Sequence, residues 1–226
     1  MSASLKTLEQ VVKTRRATQE FDSKPIPDAD LKQILESGRH APSGYNLQPW
    51  RFVVVRDPQQ REALKGAAFN QPKVGQASAV IVAVAALKAW QHGDLEKALA
   101  DAGKHGFTEQ QIEGQRKSVN MALSGEPGDV CGWGPDWAVW GNRQTMIAFT
   151  HMMLMAESMG YDTAPMEGMV ESQVKKVLGI PEDKKQYRVV AMLAIGHRKG
   201  EDKKFAGRFP LDYIVYDNQW GNGISL

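Results

Sequence analysis

A layered fold of helices packed on a sheet, α+β or α/β, is what this 226-residue sequence predicts. Two observations carry the expectation. Valine-bearing apolar runs of strand length occur at residues 51–56, 79–87 and 187–195, and the segments between them place apolar residues at helical spacing. Runs that lack polar alternation suit strands covered on both faces.

The elements follow in chain order. Leu5, Leu8, Val11 and Val12 predict an amphipathic helix over residues 4–14 that ends near Arg15 and Arg16. Pro25-Ile26-Pro27-Asp28 is a turn entering a second helix, with Leu31, Ile34 and Leu35 as its buried stripe and Gly38 near its end. A polar loop holding Ser43, Asn46 and Gln48 comes next, then the first strand. Asp57-Pro58 and a short helix to about residue 68 lead toward the second strand. Residues 88–136 break the rhythm as an excursion, with helical patches near 92–104 and 108–123 followed by two Gly/Pro-rich stretches. A long helix over 137–159 carries Ile147, Leu154, Met155 and Met159 and stops at Gly160. A short strand and turn follow it. Beyond Arg208-Phe209-Pro210, residues 213–216 read as a strand, and a tail rich in Tyr, Ile, Val and Trp needs a surface to dock on, on this subunit or a partner.

Composition bounds the function. A chain of this length forms one sizeable core, burying ~70% of its unfolded surface, so a single domain over 1–226 is expected. Lys plus Arg number 28 and Asp plus Glu 26, a balance that gives no electrostatic case for nucleic acid or an anionic membrane. The lone Cys131 excludes an intrachain disulfide and a CxxC motif, which fits a reducing, cytoplasmic setting. No apolar stretch has the length of a bilayer span or the form of a signal peptide. GxGxxG after a strand, GxxxxGK[ST], HExxH and GxSxG are all missing, and the five histidines lack metal-ligand spacing, so no metal is expected.

Five ordered segments carry the positive signal. Arg15-Arg16-Ala17-Thr18 with Phe21 comes first, then Pro42-Ser43-Gly44-Tyr45-Asn46-Leu47-Gln48-Pro49-Trp50 with Phe52. Asn70-Gln71-Pro72-Lys73, Gly160 through Pro165-Met166-Glu167-Gly168, and Gly196-His197-Arg198 with Arg208-Phe209-Pro210 complete the set. On composition alone an Arg-Arg pair is most often a solvated helix end. In this order and context the segments resemble the nitroreductase family of FMN-dependent oxidoreductases.

That resemblance implies a three-layer α+β sandwich, its central, mostly antiparallel sheet flanked by helices. It further implies a homodimer with FMN at its interface and a C-terminal extension, about 205–226, exchanged between subunits. It implies that Arg15 and Arg208 hold the FMN phosphate, a role suited to planar guanidinium groups, while Arg16 and Ala17 line the flavin. Gln19 departs from the Lys or Arg common there, and Lys73 offsets it as the cation near the ring's polar edge, beside Asn70. Pro42, Ser43, Gly44 and Asn46 reach the flavin of the partner subunit. Pro165, Met166, Glu167 and Gly168 pass near its N5 atom, with a backbone N–H from Glu167 or Gly168. Tyr45, Phe69, Trp133 and Trp137 are candidates for the substrate pocket, the tryptophans by stacking or by packing the lid at 88–136. The implied activity is hydride transfer from NADH or NADPH to nitroaromatic, quinone or other electron-poor acceptors by ping-pong kinetics, with no side-chain acid or nucleophile. Reductive dehalogenation, flavin modification, or flavin carriage without turnover remain the alternatives.

Overall fold

The computed structural model describes residues 5–22, 24–123, 136–201 and 204–225. Its centre is a four-stranded antiparallel sheet in the order β1-β2-β4-β3, formed by β1 (Trp50–Val55), β2 (Ala79–Ala86), β3 (Asp162–Met166) and β4 (Tyr187–Gly196). All eight residues of β2 are buried, as its unbroken apolar run predicts. β1 departs from that expectation: it is an edge strand with Arg51 exposed and Phe52, Val53 and Val54 only partly covered. Having one neighbour instead of two leaves its flank uncovered.

The period-two alternation of the inner strands divides the core into two layers. Val80, Val82 and Val84 of β2, with Met192 and Ala194 of β4, face α3 (Pro58–Ala67), α4 (Pro72–Gln76) and α8 (Glu171–Leu178) through Leu64, Val74 and Val174. Ile81, Ala83, Leu193 and Ile195 face α2 (Asp28–Arg39) and α7 (Trp137–Ser158) through Ile34, Phe149 and Met152. The result is the expected sandwich, helices on both faces of one sheet.

Local signals set the helix ends. α1 (Leu8–Thr14) starts later than its apolar spacing predicts because Thr7 and Gln10 form a reciprocal capping box. Asp57 caps α3 with Pro58 at its first position, and Asp136 caps α7 by accepting from Val139 N–H at 2.9 Å. The excursion holds α5 (Asp94–Lys104) and α6 (Glu109–Ala122), close to their predicted bounds. Trp90, Trp137 and Trp140 meet edge to face beneath them, with centroids 4.7, 5.6 and 6.3 Å apart. The predicted strand at 213–216 is instead one helical turn, α9 (Leu211–Ile214), followed by a bridge from Tyr216 to Gly223, since no strand lies beside it to complete a ladder. The tail leaves Phe209 71%, Tyr213 63% and Trp220 90% exposed, so these side chains are not covered by the described residues of their own chain.

α2 and α7 approach closely at Gly38, where an added Cβ would lie 2.7 Å from Met152 Cγ and 3.3 Å from the Ala148 carbonyl. Gly38→Val should therefore cost ~1–3 kcal/mol through overpacking, read as a lower midpoint in urea unfolding, whereas the same change at open Gly66 should show no such clash penalty.

Candidate active site in two halves

The first group of candidate residues gathers on the outer side of β3. β3 pairs with β4 on one side only, and its other backbone edge is taken by the segment that follows α1. Ala17 bridges Thr163 in parallel, Thr18 N–H donates to the Thr163 carbonyl at 3.0 Å, and Asp22 N–H donates to the His197 carbonyl at 3.0 Å. Arg15, Arg16, Ala17 and exposed Gln19 are thereby set along this edge. Arg15 carries a buried guanidinium nitrogen, Nη1, that has no hydrogen-bond partner among the described residues. A buried charged donor left unpaired is costly unless a ligand satisfies it.

Past Met166 the chain emerges at Glu167 and Gly168, both exposed. Gln71 Nε2 donates to the Gly168 carbonyl at 2.9 Å, and Val170 N–H donates to the Ala67 carbonyl at 2.8 Å, so the Phe69–Asn70 corner abuts the Pro165–Gly168 turn. Phe69 and Asn70 are both left-handed, with φ of 54° and 56°. Half-buried Lys73 lies on α4, whose Gln76 accepts from Phe21 N–H at 3.4 Å. Arg208 arrives from the tail: its Cζ is 5.3 Å from the centroid of the Phe205 ring, and Arg16 Cζ is 4.5 Å from the same ring. Phe205, unremarked in the sequence, thus stands between Arg208 and Arg16.

The second group lies at the other edge. The loop before β1 is pinned by Gln48 N–H donating to Ser43 Oγ at 2.9 Å and by Gly44 N–H donating to Gln144 Oε1 of α7 at 2.8 Å. Tyr45, Asn46 and Gln48 have φ of 53°, 54° and 47°, a concentration of left-handed non-glycine residues that marks a constrained, over-determined loop. Pro42, Tyr45 and Asn46 are exposed; Ser43 and Gly44 are half-buried.

These halves do not meet within one chain. Their strands are opposite edges of the sheet, three inter-strand spacings or ~14 Å apart. Gln144, which holds Gly44, and Glu157, whose charge feels Arg15, stand thirteen positions apart on α7, or ~20 Å along its axis.

The family profile described as Nitroreductase family matches residues 12–197, a span that takes in the β3 face, the loop before β1 and the whole sheet. The chain belongs to the nitroreductase family. A Thermus thermophilus protein named NADH dehydrogenase is 33% identical over 204 residues, covering 89% of this chain and 91% of its own. A Bacillus subtilis protein named for NAD(P)H nitroreductase activity is 31% identical over 215 residues, covering 91% and 95%. A nitroreductase structure from Exiguobacterium sibiricum, solved in complex with FMN, superposes with a TM-score of 0.82 at 26% identity, covering 95% and 99%.

Two tryptophans stand among the pocket candidates. Trp137 is 6% exposed and wedged between Trp90 and Trp140, so its ring packs the excursion against α7. Trp133 lies outside the described residues. Tyr45 and Phe69, 38% and 66% exposed, are the accessible aromatic candidates, one on each half.

Sequence reasoning passed over Glu157. It is the sole acid of α7, and one oxygen, Oε1, accepts from Thr163 N–H at 3.0 Å and Thr163 Oγ1 at 2.6 Å. Burial pushes its carboxyl from 4.5 up to about 7, with Asp162 adding to the rise and Thr163 and Arg15 opposing it. A carboxylate inside an otherwise Met-rich apolar helix was the available signal. Because the folded group holds its proton more tightly than the unfolded one, its contribution to stability is complete below about pH 4.5 and is lost as pH rises to about 7. Glu157→Gln should consequently leave the melting temperature near that of the parent at pH 5 and raise it at pH 8, by up to ~3 kcal/mol in stability, measured by calorimetry at both pH values.

Proposed function

We propose that this protein is an NAD(P)H-dependent flavin oxidoreductase that binds FMN at the interface of a homodimer and reduces electron-poor acceptors such as nitroaromatics and quinones. The observation that carries the reading is the buried Arg15 nitrogen on the β3 face, without a partner among the described residues, while Arg208 shares the Phe205 ring with the adjacent Arg16. Two guanidinium groups match the roughly −2 charge of a phosphomonoester and supply paired donors for it. Relatives named for NAD(P)H oxidation and a fold shared with an FMN complex support the same cofactor.

On this reading Arg15 and Arg208 hold the phosphate, and Arg16, Ala17, Gln19, Asn70 and Lys73 line the flavin along the β3 edge. Pro165 and buried Met166 lead the chain to Glu167 and Gly168, whose exposed backbone meets its reactive edge. Pro42, Ser43, Gly44 and Asn46 come from the partner, which accounts for a loop so firmly shaped yet remote from the arginines of its own chain. The exposed apolar tail crosses to the partner, and the excursion covers the pocket with α6, which touches the loop where Gln115 Nε2 donates to the Tyr45 carbonyl at 3.4 Å. When bound, FMN supplies two-electron transfer between the nicotinamide and the acceptor. The chain's residues bind, orient and exclude water, with no side chain needed as acid or nucleophile. Donor and acceptor use the pocket in turn, so initial rates at several acceptor concentrations should give the parallel double-reciprocal lines of ping-pong kinetics.

Arg15→Ala should weaken FMN affinity ~10–100-fold, the worth of a charge-assisted pair, while riboflavin affinity changes little. Unchanged FMN binding in a flavin titration would overturn the phosphate assignment. Subunit sharing has its own measurement. A chain carrying Arg15→Ala, co-expressed with one carrying Asn46→Ala, should yield mixed dimers with one intact site and NAD(P)H oxidation well above either variant alone. Activity no better than the separate variants would place both halves of the site on one chain.

A further inference from the structure

The buried carboxyl of Glu157 has no part in the function proposed above, yet it stands at the junction of three elements that set the β3 face. It is 5% exposed at the end of α7, and both of its hydrogen bonds come to Oε1 from Thr163, the residue whose backbone also pairs with Ala17 and Thr18. It lines a cavity of about 380 Å³ with Lys6, Gln10, Thr14, Arg16, Asp162 and Arg198. The Arg15 guanidinium attracts it, but no Arg15–Glu157 ion pair forms within 4.0 Å, and both hydrogen bonds to the carboxyl come from Thr163. Glu157 thus does not pair with Arg15, whose Nη1 has no hydrogen-bond partner among the described residues.

We propose that Glu157 is a positioning residue for the phosphate-binding arginine and that it takes up a proton as the phosphate binds, an inference that rests on the flavin-site reading above. Two anions in a poorly solvated corner compete for one guanidinium, and the conflict is removed when the carboxyl is neutral. The groups facing Glu157 are the cations Arg15 from the segment after α1, Lys6, Arg16 and Arg198, and the acid Asp162 at the start of β3. Burial already holds Glu157 near half protonation at neutral pH, so little is needed to complete the proton uptake. The sign follows directly. FMN affinity is insensitive to Glu157 well below pH 7 and falls as pH rises past 7, by at most ~10-fold per pH unit. Ionisation of the phosphate itself, near pH ~6, acts in the opposite direction and is complete over this range.

The test titrates the protein with FMN and with riboflavin from about pH 7 to 9, and measures proton uptake at pH 8 by calorimetry in buffers of different ionisation enthalpy. FMN affinity is expected to weaken about tenfold across the range with net proton uptake, riboflavin affinity to stay flat, and Glu157→Gln to bind FMN with a flat profile. A flat FMN profile, an equal slope for riboflavin or for Glu157→Gln, or no proton uptake by the unsubstituted protein overturns the proposal while leaving the flavin site intact. Failure of both flavins to bind at every pH overturns the flavin site and this inference with it.

Discussion

An edge strand must do something with its outer row of backbone donors and acceptors, and in this protein the outer edge of β3 is closed by the chain's own residues after α1. The pairing of Ala17 and Thr18 with Thr163 sets the height at which Arg15 and Arg16 stand beside the sheet. The same threonine turns its N–H and hydroxyl to Glu157, tying the end of α7 to that edge. One backbone contact thus places the guanidinium groups, the exposed turn at Glu167 and Gly168, and the carboxyl that modulates the local field. Loss of the pairing would free the arginines without disturbing the two core layers, which are built on β2 and β4.

The opposite edge obeys a different constraint. There the loop before β1 is held by Gln144 and by the tryptophan cluster under the excursion, and its left-handed residues persist because hydrogen bonds at Ser43 and Gly44 over-determine them. A sheet of four strands and a helix of 22 residues separate the two sets of candidate residues. The shared site proposed above fits this geometry, in which one chain holds its two sets of candidate residues apart.

Much of this was legible in the residues, and the exceptions have physical causes. The unbroken valine runs announced the strands because burial on both faces removes the need for polar alternation, and β1 misled only in being an edge. Thr7-x-x-Gln10 carried the true start of α1, which apolar spacing alone extends too far. The tail imitated a strand through Tyr213 and Val215, but a strand exists only where a neighbour supplies its hydrogen bonds, and local sequence cannot report that. The candidate residues were readable as five motifs in order, yet their division into two sets came from the family resemblance alone, since the residues by themselves do not report strand order. Glu157 and Phe205 escaped notice for the same reason: the burial of one and the ring contacts of the other arise from segments distant in the sequence.

The fully buried β2 has a bearing on how this molecule breathes. Amide hydrogens on a central strand exchange only when most of the domain opens, whereas edge strands and the loops beside them open in smaller, cheaper fluctuations. Here the candidate residues lie on and beside the outermost strands, so the regions proposed to meet ligands are ones that smaller openings can reach. A molecule bridging the two edges would slow exchange at residues far apart on one chain, leaving β2 almost unchanged. Protection maps would then register occupancy at the periphery of the sheet, while its centre kept time only with global unfolding.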